Sequence, residues 1–305
     1  MAKKEIQQIA IIGSTASGKS QLAIDIANKF NAIILSLDSL SVYKEIDIAS
    51  AKPSLEERAN IPHYGIDILS PNIKFDVKLY IDLYKSIYQK AIEGNRNLII
   101  VGGTSFYLKS LIDGISPLPR ISQEIKSELD YNLKNIKKTY DMLYKLDEEY
   151  MKNISSSDKY RIEKALSIYL STKIAPSTYF KNNPPKPTII EELPIYSILT
   201  QREILRKRIE SRTKVMIDIG LIDEVAYLEK KYNRLPNSMK SIGIKETLDY
   251  FDGKININTL EEKIIINTAR LAKRQNTFNK SQFKDIIALE LADLEARILE
   301  DIEFE

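Results

Sequence analysis

The sequence predicts an α/β fold, a parallel sheet flanked by helices with an all-helical insertion. Three observations carry this. Short apolar runs alternate with helical patterns over the first hundred or so residues. Two of those runs lead into glycine-rich turns and then helices, as strands do at the carboxyl edge of a parallel sheet. After Ser116-Pro117-Leu118-Pro119, strand signals cease, and Lys, Glu, Leu and Tyr recur at helical spacing up to Asn182-Asn183-Pro184-Pro185-Lys186-Pro187.

The first apolar run, Ile9-Ala10-Ile11-Ile12, enters Gly13, four residues, Gly18, Lys19 and Ser20, the G-x-x-x-x-G-K-[ST] spacing of a P-loop. The sheet is therefore expected to be P-loop NTPase-like. Glycines let backbone amides converge on phosphate oxygens, and the helix that follows adds its positive end. Lys19 would reach the terminal phosphate and the Ser20 hydroxyl a Mg²⁺ ion. A di- or triphosphate ligand follows, and a nucleotide or small-molecule kinase is the first reading.

A helix with Leu22, Ala23, Ile26, Ala27 and Phe30 comes next, then a strand over Ala32–Leu37 ending at Asp38. Residues 44–75 read as irregular, with Pro53, Pro62, Gly65 and Pro71. Phe75–Glu93 reads as an amphipathic helix with Leu79, Leu83, Ile87 and Ala91 on one face. Asn97–Val101 is a buried strand, followed by Gly102, Gly103, Thr104 and a helix from Phe106. Ile195–Leu199 returns to the sheet, and helices are expected from Gln201 onward. The division expected is a core of residues 1–117 and 188–284, a helical insertion of 118–187, and an acidic tail or helix of 285–305.

Composition bounds the class. The chain has 305 residues, 43% hydrophobic and 29% charged, as an ordinary globular protein has. It has no cysteine, which excludes disulfides, thiolate nucleophiles and Cys-based zinc sites. With one histidine, His63, a His/Cys zinc site is excluded too, and a hydrogen-bonded structural role is expected. No apolar run approaches the roughly 18 residues of a membrane span, and the N-terminus lacks a secretory apolar region. No membrane partner and a cytoplasmic location are expected. Residues 200–284 carry 18 Lys/Arg against 11 Asp/Glu, whereas 285–305 carry one against eight. That segregation suits a polyanionic partner or two differently solvated helical faces.

Asp38 at a strand end beside a P-loop reads either as a magnesium-shell acid or as a base for an attacking nucleophile. Thr104 reads as a partner of phosphate or acceptor, or as a helix cap. Arg208 and Arg212 share a helical face, as do Arg202 and Arg206. They read as a phosphate clamp through bidentate guanidinium bonding, or as a solvated face paired with Glu203 and Glu210.

Six segments in order resemble the tRNA dimethylallyltransferases, also called tRNA isopentenyltransferases. They are Gly13–Ser20 (G-P-T-A-S-G-K-T in the family), Asp38–Tyr43 (D-S-x-Q-V-Y), Asp47–Pro53 (D-I-G-T-A-K-P), Val101–Tyr107 (V-G-G-T-x-x-Y), Ile242–Glu246 (I-G-Y-K-E) and Ala272–Gln275 (A-K-R-Q). The resemblance implies Mg²⁺-dependent transfer of the dimethylallyl group of dimethylallyl diphosphate to the exocyclic amine of the adenosine 3′ to the anticodon in a tRNA anticodon stem-loop. It implies that Gly13, Ser14, Thr15, Ala16, Ser17, Gly18, Lys19, Ser20 and Arg212 hold the diphosphate. It further implies that Ser20 serves the metal, that Asp38 is the base and that Thr104 stands near the reaction centre. The tRNA surface it implies comprises Asp38, Ser39, Leu40, Ser41, Thr104, Lys126, Arg161, Lys164, Lys240, Lys245, Lys273 and Arg274.

The chain departs from the family pattern at several places. Leu40 and Ser41 replace the variable residue and Gln of D-S-x-Q, and Lys164 replaces an arginine. Phe278 stands for Trp and Asn279 for Arg. The cysteine-rich extension of some eukaryotic relatives is not expected. A monomer is expected. An adenylate (AMP or ATP) isopentenyltransferase remains an alternative, as does the kinase, but the insertion and basic late segment favour an RNA acceptor.

Overall fold

The computed structural model describes residues 6–303. Six parallel strands form one sheet in the order β3-β2-β4-β1-β5-β6. They are β1 (Gln8–Ile12), β2 (Ala32–Ser36), β3 (His63–Tyr64), β4 (Asn97–Gly102), β5 (Ile195–Ile198) and β6 (Ile286–Leu289). β1 is buried along its whole length, because helices cover both faces of a parallel sheet and its strands need no polar side. Side chains alternate between the faces. Ile9 and Ile11 of β1, Ile34 of β2, Ile99 of β4 and Tyr196 of β5 share one core with α1 (Lys19–Lys29). α2 (Val77–Glu93) packs on β2 and β4, and its Tyr84 hydroxyl donates to Gln8 Oε1 at 2.8 Å. Its buried face is Tyr80, Ile81, Tyr84, Ile87 and Ala91, whereas Leu79, expected inward, is exposed. The tyrosines win the core because an aromatic ring buries more apolar area than leucine.

The register places Ile9 beside Ile99 and Ile99 beside Ile34. The turns after β1, β2 and β4 therefore leave neighbouring strands at one edge. β4 flanks β1 on one side and β5 on the other, so the P-loop opens where the strand order switches direction.

α3 (Ser105–Asp113) follows β4, and the chain enters a helical unit, Leu111–Thr188, with its own core. Within that unit lie α4 (Gln123–Asn132), α5 (Ile136–Leu146), α6 (Glu148–Met151), α7 (Lys159–Thr172) and α8 (Pro176–Asn182). The caps are legible residue types: Ser122, Asn135, Asp147 and Asp158 accept amides of the helices they start. Asp147 also accepts Ser177 N at 2.6 Å, tying α6 to α8. Thr188 N donates to Leu111 O at 2.8 Å, closing the unit's neck.

Back in the core unit are α9 (Arg202–Asp218), α10 (Leu221–Tyr232), a short 3₁₀ turn (Asn237–Lys240), α11 (Ile244–Phe251), α12 (Ile257–Gln282) and α13 (Leu291–Glu303). Val42, Tyr43 and Ile46 make a second hydrophobic cluster with α10, α11 and α12. Residues 285–305, expected as tail or helix, differ from that expectation: Ile286–Leu289 is the sheet's edge strand, paired with β5. Leu294 and Ile298 of α13 sit in the main core. Four apolar residues are too few for periodicity to separate strand from helix. Among the described residues, no helix is long and apolar enough to cross a membrane.

Candidate active site

The P-loop turns so tightly that Ala16 takes a left-handed backbone, φ 62°. Its methyl packs against Leu205, Ile209 and Ala272, where α9 meets α12. Lys19, the first residue of α1, is buried, and its ammonium donates to Ser14 O and, at 3.4 Å, to Ser17 Oγ. Burial lowers its pKa to about 8; the Asp38 carboxylate opposes that shift and the Arg212 charge adds to it. Ser20 stands one residue on, exposed.

Two arginines of α9 reach the loop. Arg208 Nη1 donates to Ser17 O at 3.2 Å and Arg212 Nη1 to Thr15 Oγ1 at 3.3 Å. Burial holds the Arg212 guanidinium below its usual pKa, offset in part by Asp38. Arg206, on the outer side, pairs with Glu210 at 3.2 Å. The solvated-face reading thus describes Arg206, and the loop takes Arg208 and Arg212.

Asp38 follows β2. Its Oδ1 accepts the amides of Leu40 (2.7 Å) and Ser41 (3.1 Å), which fixes the carboxylate's plane. The Ser39 amide donates to Thr104 Oγ1 at 3.2 Å, and Thr104 N donates to Leu37 O at 2.9 Å. At Gly102, an added Cβ would overlap the Leu37 carbonyl, so only glycine permits this approach of the two turns.

Two cavities share the walls Thr15, Ala16, Asp38, Gly103 and Arg212. One, of about 410 Å³, is polar and lined by Ser17, Gly18, Lys19, Ser20, Arg208 and His63. The other, of about 500 Å³, is mostly apolar, with Leu40, Phe106, Ile209, Met216, Ile242, Leu271 and Phe278, and also takes Thr104 and Arg274. A polar cavity lined by Lys19, Arg208 and Arg212 therefore adjoins an apolar chamber, and the Asp38 carboxylate lines both. His63 Nδ1 lies 2.8 Å from Ile61 O, and burial lowers the ring's pKa.

Motifs to which the sequence lent no mechanism hold the chamber wall. Glu224 accepts the amides of Asp47, Ile48 and Ala49 at 2.7–2.9 Å. Lys52, 4% exposed, bonds Tyr43 O, Asp47 and Asp67 at 2.6–2.8 Å. Buried Glu246 accepts from Gly243 N and Asn267 Nδ2.

The remaining basic residues expected on the tRNA surface are not among those lining the two cavities. Lys126 sits on α4, and Arg161 and Lys164 sit on α7 of the helical unit. Arg161 pairs with Asp158, and Lys164 lies over the Tyr160 ring. Lys240, Lys245 and Lys273 are exposed on the core unit. Gln275 received no role from the sequence, yet it lines both cavities and bonds Thr15 N and Gly103 O. A glutamine mid-helix carries no spacing signal; the signal available is its place as the last residue of the A-K-R-Q match, Ala272–Gln275.

A family model described as IPP transferase matches residues 41–282. A tRNA dimethylallyltransferase of Sulfurovum sp. (strain NBC37-1) is 56% identical over 295 residues, 97% of this chain and 98% of that protein. The crystal structure of a tRNA delta(2)-isopentenylpyrophosphate transferase from Staphylococcus epidermidis aligns with TM-score 0.70 at 30% identity, over 98% of this chain and 99% of that one. That of a tRNA isopentenylpyrophosphate transferase from Bacillus halodurans gives 0.71 at 28%, over 98% and 95%. A family match over most of its length, and a relative more than half identical across nearly the whole of both proteins, show that this chain belongs to the IPP transferase family.

Proposed function

We propose that this protein transfers the dimethylallyl group of dimethylallyl diphosphate to the exocyclic amine of the adenosine 3′ to the anticodon of tRNA. The observation that carries the reading is Asp38, placed between an anion seat and an apolar chamber. The names of the relatives support the acceptor. The diphosphate lies on the P-loop, against Lys19 and Arg212. The amine nitrogen attacks the first carbon of the allyl group as the carbon–oxygen bond to diphosphate breaks, and the bonding pair leaves with the diphosphate. Charge growing on that leaving group meets fixed cations that need no reorganisation. The nitrogen's proton turns acidic as the new bond forms, so an ordinary carboxylate can take it. Asp38 does so through Oδ2, since Oδ1 is held by two amides.

Mg²⁺ fits the polar cavity in one way. Among the described residues no cluster of three carboxylate or imidazole groups could cage a metal, and Mg²⁺ is commonly held by few protein groups plus phosphate oxygens. Ser20 is the residue that would hold it there, and the ion supplies further charge neutralisation. The helical unit, with Lys126, Arg161 and Lys164, and the exposed Lys240, Lys245, Lys273 and Arg274 carry the tRNA.

The test is to incubate the protein with Mg²⁺, labelled dimethylallyl diphosphate and either an anticodon stem-loop or AMP, with Asp38→Ala in parallel. Label in the RNA that is lost in the variant supports the reading. Label in AMP alone moves the acceptor to a free nucleotide, and phosphorylation of an acceptor by ATP without prenyl transfer returns the loop to a kinase.

A further inference from the structure

The side chain of Gln275, on α12, is stitched between two loops. Its Oε1 accepts from Thr15 N at 2.8 Å, and its Nε2 donates to Gly103 O at 3.0 Å. This orientation is the one that chemistry allows, because the flipped amide would set donor against donor and acceptor against acceptor. A Cβ at Gly103 would overlap Gln275 Nε2, so the glycine is what admits the amide. Thr15 belongs to the phosphate loop, and Gly103 precedes Thr104, which holds the Ser39 amide next to Asp38.

We propose that Gln275 is a positioning residue for the transfer step, its rigid side-chain amide setting the spacing between the phosphate loop and the Thr104–Asp38 turn. A planar amide that is donor at one end and acceptor at the other is suited to this, since both bonds form only at one loop separation. Small displacements of reacting groups are costly, a misplacement of about 1 Å lowering rates by roughly 100-fold. The Thr15 amide is engaged by Gln275 Oε1. Loss of the bridge should therefore disturb geometry more than phosphate affinity. The inference rests on the transfer reading above.

The test compares wild type with Gln275→Met, which keeps the length and packing without the bonds, and with Gln275→Asn, which keeps the amide but is too short to hold both partners. Hydrogen exchange at the Thr15 amide reads the bridge itself. Single-turnover prenyl transfer to a stem-loop and affinity for inorganic diphosphate separate spacing from binding. For Gln275→Met the expectation is loss of Thr15 protection, a transfer rate down roughly 100-fold, unchanged diphosphate affinity, and a melting temperature lowered only by the two backbone groups left unpaired. Gln275→Asn should fall between, and it carries the test if the Met variant does not fold. A diphosphate affinity that falls in step with the rate would make Gln275 part of the anion seat and overturn the proposal. An unchanged rate, or unchanged Thr15 exchange, would also overturn it. If wild type transfers nothing, the prenyl-transfer reading fails, and Thr15 exchange still decides whether the bridge exists.

Discussion

The Ser39 amide donates to the Thr104 hydroxyl at 3.2 Å, joining the turn that carries Asp38 to the glycine turn after β4. Thr104 thus braces the turn that carries Asp38 and also lines the chamber. Thr104→Val keeps the shape and removes the acceptor, and should lower the single-turnover transfer rate by about 10- to 100-fold. Thr104→Ser retains the hydroxyl and should stay within severalfold of wild type.

Under the proposed function, Lys19 brings a pH dependence. Burial first, and Arg212 in addition, bring its pKa to about 8 despite Asp38. In the proposed transfer the cationic form binds the diphosphate, so affinity for dimethylallyl diphosphate should hold just below pH 8, where the ligand keeps its full charge. It should then weaken toward about tenfold per pH unit above it. The folded pKa lies below the unfolded value, so the unfolded chain binds more protons between them. The ligand-free protein should therefore gain stability as pH rises from about 8 toward 10. Titration calorimetry and denaturant midpoints across this range check both signs.

Arg212 and Arg206 differ in what they touch. Arg212→Lys loses the fork that reaches Thr15 and should weaken diphosphate binding by about tenfold, the equivalent of one charge-assisted bond. Arg206→Lys alters only an exposed pair with Glu210 and should leave affinity unchanged. Equal effects would contradict the assignment of the two faces of α9.

Glu224 holds three backbone amides of the chamber wall. Glu224→Ala leaves them without that partner and should cost about 2 kcal/mol in urea unfolding. Transfer should fall further than stability does, because Ala49 and Ser50 line the chamber.

Asn279 is 2% exposed, and neither polar atom of its side chain has a hydrogen-bond partner among the described residues. Asn279→Leu removes that desolvation cost and should raise stability by about 1 kcal/mol. A lower urea midpoint would show that the amide is paired in solution.

Much of the site could be read from residues alone because its chemistry is local. Gly13 to Ser20 is contiguous, Asp38 ends a strand, Gly102–Thr104 ends another, and Arg208 with Arg212 follows helical periodicity. What could not be read depends on contacts across long separations. Gln275 meets Thr15 over 260 residues, and Glu224 meets Ile48 over 176; nothing in either residue type announces a partner. The β6 edge strand escapes the sequence because its four apolar residues precede an acidic helix, a composition that reads as tail. Leucine spacing points to one face of α2, whereas Tyr80 and Tyr84 help fill the buried one.

Mapping the product on RNA tests prenyl transfer most directly. Wild-type protein, Mg²⁺, dimethylallyl diphosphate and an unmodified anticodon stem-loop are combined, and nuclease fragments are weighed by mass spectrometry, with Asp38→Asn alongside. The prediction is one dimethylallyl unit on the adenosine 3′ to the anticodon, formed about 100- to 10,000-fold more slowly by the variant. An unmodified stem-loop, or one modified equally fast by Asp38→Asn, would contradict it.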